Sequence, residues 1–267
     1  MALFGFIGAG NMGLPLMKAA AATFGKNEVI FTDASKERSQ FVSDQTGIRF
    51  LTDNCSVVKQ CKNLVLAVKP QFFPVVLNEI KDVVTKDQIV ISIAAGIKIE
   101  SIKSMLSNSV RIVRAMPNTP AMVLQGMSGI CFSEDTFTDE EKEIIDRFFK
   151  SFGKYEVFDE RLMNAVVCAN GSSPAYVYMF IEALADSVVS YGIPRDKAYE
   201  LAAQTVLGSA ALVLETGEHP GKLKDQVCSP GGTTIAAVKA LEEYGFRNAI
   251  MKATDACYKK CEELSNK

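Results

Sequence analysis

Nearly continuous apolar runs recur through the first 160 residues, separated by stretches whose apolar positions repeat at helical spacing. Residues 3–8, 28–33, 63–68, 89–94 and 111–116 predict strands, because a strand covered on both faces shows no polar alternation. Residues 12–24, 35–45, 72–84 and 98–106 predict the helices between them. Strand, helix, strand at this spacing means βαβ units in a doubly wound, mostly parallel sheet. Two more strands are expected near residues 126–132 and 154–158. The helix between them, 138–150, opens with Thr138 three residues before Glu141, the pattern of a capping box.

After Asp159 the alternation stops, and residues 160–267 are rich in alanine, leucine and valine. The chain therefore divides into a Rossmann-type domain, 1–159, and an all-helical domain, 160–267. Punctuation marks the helices. Ser173-Pro174 opens one, and Tyr191-Gly192-Ile193-Pro194 ends it and starts the next. Thr216-Gly217 closes that second helix, and Gly245 separates the last two. Stretches 175–189 and 198–214 are apolar on more than one face. Two such helices find little interior in a small helical domain. A partner chain covering them, as a dimer or an assembly of dimers, is the reading preferred over packing on the first domain.

Composition narrows the classes. The 267 residues are 48% apolar and 22% charged, with a formal net charge of −2, the mix of a soluble globular protein. No run of like charge supports a nucleic-acid or anionic-membrane partner. No apolar run is long enough to span a bilayer. Residues 1–8 lack a basic leader and a cleavage site, and read as a first strand rather than a signal peptide. Seven scattered cysteines without a CxxC pair suggest reduced thiols in the cytoplasm, with neither a disulfide framework nor a zinc site. With His219 as the single histidine, neither a His-based metal site nor a Ser-His-Asp triad is expected, and no metal is assigned.

The chemistry concentrates in a few stretches. Gly8-Ala9-Gly10-Asn11-Met12-Gly13 is a GxGxxG between a strand and a helix, the context of a dinucleotide pyrophosphate at a helix N-terminus. Twenty residues past Gly13, Asp33 ends the second strand, where a carboxylate accepts from a ribose 2′-OH and repels a 2′-phosphate. Ala67-Val68-Lys69-Pro70 and Ile93-Ala94-Ala95-Gly96 end two further strands, and small residues there leave room for a flat nicotinamide ring. Met116-Pro117-Asn118-Thr119-Pro120 is equally a held polar pair or a plain rigid loop. In the helical half, Ser229-Pro230-Gly231-Gly232-Thr233-Thr234 precedes a helix and builds a nest of N–H groups suited to a carboxylate. His219 reads as a turn or capping residue, and Cys228 as a bystander thiol.

These stretches together resemble the pyrroline-5-carboxylate reductases. The resemblance runs from Gly5-Phe6-Ile7-Gly8-Ala9-Gly10 through Ala67-Val68-Lys69-Pro70, Ala94-Ala95-Gly96 and Asn118-Thr119-Pro120. It continues through Gly171-Ser172-Ser173-Pro174-Ala175-Tyr176 and His219-Pro220-Gly221 to Ser229-Pro230-Gly231-Gly232-Thr233-Thr234-Ile235, the most specific run. It implies reduction of 1-pyrroline-5-carboxylate to L-proline, the last step of proline biosynthesis, with NADPH or NADH. It implies that Ile7, Gly8, Ala9, Gly10, Asn11, Met12, Asn54, Ala67, Val68, Lys69, Pro70, Ile93, Ala94 and Ala95 contact the dinucleotide. Gln226 and Val227 would contact it from a partner subunit. Thr233 and Thr234 would hold the substrate, with Ser229, Gly231 and Gly232 around them and Thr234 orienting the ring nitrogen. Two positions depart from the pattern. Ser173 stands where many members carry glycine, and Asp33 where NADPH-preferring members carry a small or basic residue; Asp33 hints at NADH.

Two other classes of protein share part of this pattern. A β-hydroxyacid dehydrogenase shares the nucleotide domain followed by helices, but no lysine follows Gly171-Ser172-Ser173-Pro174 within ten residues, where that class carries a catalytic one. A non-catalytic dinucleotide-binding redox sensor leaves the anion nest at 229–234 without a purpose.

Overall fold

The strands form where both faces of a run can be buried. In the computed structural model, which describes residues 1–107 and 109–265, eight strands form one sheet. They are β1 (Ala2–Ile7), β2 (Val29–Thr32), β3 (Arg49–Phe50), β4 (Cys61–Leu66), β5 (Ile89–Ser92), β6 (Arg111–Met116), β7 (Gly126–Phe132) and β8 (Gly153–Val157). Their order is β3-β2-β1-β4-β5-β6-β7-β8. Every neighbouring pair is parallel except β6 and β7, which are antiparallel. All seven predicted strands are present. The two-residue β3 is too short to leave a pattern of its own.

Helices α1 (Gly13–Phe24), α2 (Lys36–Thr46), α3 (Asn54–Lys59), α4 (Phe73–Ile80), α5 (Ile99–Leu106) and α6 (Asp139–Lys150) belong to the same unit. Their buried residues fall into two clusters. One gathers Phe4, Phe6, Leu16, Met17, Phe31, Phe148, Phe149 and Phe152; the other Ile7, Val57, Leu64, Leu77, Ile80, Ile102, Met163 and Val166. Thr138 and Glu141 form the expected capping box on α6.

By packing, the compact units divide at Ser172/Ser173. Short helix α7 (Met163–Val166) and the π-helical turn Val167–Gly171 stay with the sheet, because Met163 and Val166 are buried in its second core cluster. Residues 257–265 also count with that unit. The second unit, Ser173–Ala256, holds α8 (Ser173–Val189), α9 (Arg195–Thr216), α10 (Pro220–Val227), α11 (Thr233–Glu243) and the start of α12 (Phe246–Ser265). Its helix ends lie where the punctuation put them, and Gly217 caps α9 in the left-handed conformation. Among the described residues no helix is long and apolar enough to cross a membrane.

Candidate active site

In the first unit the chain order reverses at β1, which lies between β2 and β4. Ligands of doubly wound sheets bind at such a switch point, beyond the carboxyl ends of the strands. The glycine-rich loop leaves β1 there. Gly8 has φ +102°, and a Cβ on it would lie 2.5 Å from the Ala67 carbonyl oxygen at the end of β4. A Cβ on Gly13 would lie 2.3 Å from the Gly8 carbonyl oxygen, so helix and loop close only on a glycine. Gly10 is exposed, and a Cβ there would meet no atom within 4 Å. The first turn of α1 carries neither a side-chain cap nor an acidic residue. Open space, a helix N-terminus and absent anionic competition fit a bound pyrophosphate. Ile7, Gly8 and Ala9 are buried beneath this cradle, while Asn11 is exposed and Met12 half-buried.

Asp33 does more than the sequence pattern assigns to it. Its carboxylate accepts from Ala9 N–H at 2.8 Å and from Ser35 N–H at 3.0 Å. Arg38 Nε–H donates to the Ala9 carbonyl at 2.8 Å. Asp33 and Arg38 thus latch the glycine-rich loop through both backbone groups of Ala9, in two successive peptide units. A carboxylate has about four lone-pair positions, so two remain for a ribose hydroxyl.

The other predicted coenzyme residues of this unit gather on the same edge. Ala67 N–H donates to the Ile7 carbonyl at 2.8 Å, and Ile93 N–H to Leu66 at 3.3 Å, which brings the ends of β1, β4 and β5 side by side. Ala67, Val68 and Pro70 are half-buried, Lys69 is exposed, and Pro70 opens a tight turn before α4. Ala94 is buried between half-buried Ile93 and Ala95. Asn54 starts α3 behind its Asp53 cap, and its amide donates to Glu79 at 2.5 Å.

Asn118 turns out to be a clamp. Its oxygen accepts from Met127 N–H at 2.9 Å and its amide donates to the Asn170 carbonyl at 3.1 Å. Asn170, which sequence reasoning missed, donates to the carbonyls of Met116 and Met127 at 2.8 and 2.9 Å. Its side-chain oxygen is buried without a partner. A lone asparagine before Gly-Ser-Ser-Pro carries no periodic signal that would have revealed this.

The stretch predicted to form an anion nest, residues 229–234, lies in the second unit at the start of α11. Gly232 is the N-cap of α11, in extended conformation and without a side-chain cap bond, and the first turn of α11 has no acidic residue. Gly231 has φ +70°, and Gly232 N–H donates to the Ser229 carbonyl at 3.0 Å. A Cβ on Gly232 would lie 2.3 Å from Ser229 Oγ, so the Ser229 hydroxyl sits directly on the turn. Ser229, Gly231 and Thr233 are exposed, and Gly232 and Thr234 are half-buried. Gln226 and Val227, at the end of α10, are both exposed, Val227 by 64%. His219 caps α10, its Nδ1 accepting from Gly221 N–H at 3.0 Å.

Known proteins match the chain along its whole length. The protein is 44% identical to the pyrroline-5-carboxylate reductase of Escherichia coli K12, over 98% of this chain and 97% of that one. It is 42% identical to the reductase of Pisum sativum, over 98% and 95% of the two chains. The chain belongs to the pyrroline-5-carboxylate reductase family. The family model for pyrroline-5-carboxylate reductase dimerisation matches residues 160–264, and that for NADP oxidoreductases dependent on coenzyme F420 matches residues 3–96. The crystal structure of the Plasmodium falciparum reductase with NADP bound superposes with a TM-score of 0.89 at 30% identity, covering 99% of this chain and 98% of that one. The Coxiella burnetii reductase does so with 0.90 at 34%, covering 99% and 98%. Membership sets aside the hydroxyacid dehydrogenase and redox-sensor readings.

Proposed function

We infer from family membership and the nucleotide cradle together that this chain is an oxidoreductase: it reduces 1-pyrroline-5-carboxylate to L-proline with NADPH or NADH. When bound, the reduced nicotinamide supplies a hydride to the imine carbon. The chain's own part is to bind, orient and exclude. The uncapped N-terminus of α1 and open Gly10 hold the pyrophosphate. The small residues ending β4 and β5 give the ring a flat bed. The substrate carboxylate is assigned to the nest at the start of α11, a positive helix end whose first residues are Thr233 and Thr234, with Ser229 on the preceding turn. Thr234 is assigned the ring nitrogen, which accepts hydride best as an iminium. Orientation supplies most of the acceleration, since no side-chain acid is assigned the proton.

Three finer readings belong to this proposal. Asp33 keeps a carboxylate beside the adenosine ribose and disfavours a 2′-phosphate, so NADH is the preferred donor; Arg38, fixed by one of its five N–H groups, softens the preference. The active form is a dimer or an assembly of dimers, which supplies Gln226 and Val227 of a second copy to the coenzyme; the exposed apolar faces of α8 and α9 support it. Seven thiols favour the reducing cytoplasm. The observation that carries the activity is identity of 44% over 98% of the chain. The test follows nicotinamide absorbance on adding 1-pyrroline-5-carboxylate, with NADH and NADPH in parallel. Decay with proline formed in equal amount is expected, and no decay with either donor overturns the reading.

A further inference from the structure

Residues 89 and 93 apart in sequence meet in the first unit. Cys168 lies in the π-helical turn Val167–Gly171, and Cys257 and Cys261 lie on α12. Four residues apart on a helix, those two share a face. The three sulfurs all fall within 4.8 Å of one another. Cys168 is 6% exposed and Cys261 7%, while Cys257 is half-buried and opens the cluster toward solvent. Cys168 Sγ–H donates to the Asn164 carbonyl at 3.3 Å and Cys257 Sγ–H to Ser172 Oγ at 3.3 Å, so both sulfurs are held in place. The cysteines that looked scattered in the sequence are therefore partly assembled.

We propose that Cys168, Cys257 and Cys261 form a three-coordinate site for a soft monovalent d10 cation of the copper(I) class. Thiolate sulfur selects such ions over hard cations. Three sulfurs around one ion at about 2.3 Å stand about 4 Å apart, so the observed cluster needs to tighten by under about 1 Å. Among the described residues the group contains no imidazole nitrogen or carboxylate oxygen. A closed structural zinc site takes four protein ligands, so three sulfurs alone suit the trigonal ion better. Burial, reinforced by the neighbouring thiols, raises the Cys168 and Cys261 thiols above their ordinary range. Binding exchanges protons for metal: three S–H bonds break, three S–Cu bonds form, three protons leave to solvent, and copper stays in the +1 state. Arg114 acts electrostatically on Cys261 and offsets part of the negative charge that remains.

The test uses the reduced full-length protein under anaerobic conditions, with Cu(I) offered from a coloured Cu(I) chelator. One equivalent per chain is expected to move to the protein, with three sulfur neighbours by X-ray absorption at the copper edge. Cys168→Ser and Cys261→Ser should each weaken binding at least about 100-fold, more than loss of an outer-sphere contact would. Cys55→Ser and Cys228→Ser should leave it unchanged. Thermal melting of the two ligand variants without copper checks that they fold; in wild type, copper should raise the melting temperature, and in the variants it should not. No transfer, two sulfur neighbours, or binding insensitive to Cys168→Ser overturns the site.

Discussion

Phe148 in the first unit meets Phe4 at 4.7 Å, Phe149 at 5.2 Å and Phe152 at 5.3 Å between ring centroids, and is fully buried. In the second unit the buried hydrophobic residues are three alanines, Ala185, Ala198 and Ala202. Its large side chains face outward: Tyr178, Met179 and Phe180 on α8, and Leu201, Leu207, Leu212 and Leu214 on α9. The sheet unit closes on its own residues. The helical unit does not, and its apolar surface is what a second copy would cover. On the proposed dimer, one chain contains a region whose stability is internal and a region whose stability depends on association.

Met179→Asp should have the largest effect. Met179 is 68% exposed in the single chain, so a monomer should tolerate the charge. In an assembly the aspartate is buried unpaired and costs about 3–5 kcal/mol per copy. Light scattering should show dissociation, with activity lost in step. An assembly of wild-type size and activity would remove α8 from the interface.

Phe148→Ala attacks the other region. Deleting one ring from the aromatic cluster should cost about 3–5 kcal/mol in denaturant unfolding. The folded fraction should keep the wild-type oligomer, because the cavity lies in the sheet core. Dissociation at unchanged stability would show that the two regions are not separable in this way.

Thr234→Ala acts on the chemistry of the second unit. It removes a hydroxyl at the start of α11 and leaves the backbone donors, so kcat/KM for 1-pyrroline-5-carboxylate should fall by about 1–3 kcal/mol in transition-state terms. Coenzyme affinity should hardly move, and Thr234→Ser should recover most of the loss. Weakened NADH binding with wild-type kcat/KM would take this loop away from the substrate.

The smallest effect is expected at Asp33. Asp33→Ser should shift the ratio of kcat/KM toward NADPH by about tenfold, about 1.4 kcal/mol. It also removes the acceptor for Ala9 N–H, so both coenzymes should bind somewhat less tightly. A wild type that already prefers NADPH tenfold would assign the carboxylate to the loop latch alone.

Local rules account for what could be read early. Parallel strands buried on both faces are apolar throughout, GxGxxG between strand and helix marks a pyrophosphate turn, and glycine or proline at helix ends records backbone needs that few other residues meet. So seven of the eight strands, the ends of α8 and α9, the capping box on α6 and the turn before α11 were legible from neighbours in the chain. Features that depend on distant residues were not. The compact sheet unit extends to Ser172 because Met163 and Val166 are buried in its second core cluster, a burial no local composition reports. Asn170 bonds to Met116 and Met127, 54 and 43 residues away. Cys168 meets Cys257 and Cys261 only because the π turn and the tail of α12 belong to one folded unit. Sequence specified each element through short-range backbone and burial preferences; which side chains became partners was decided by the tertiary structure, because proximity across dozens of residues exists only once the chain has closed on itself.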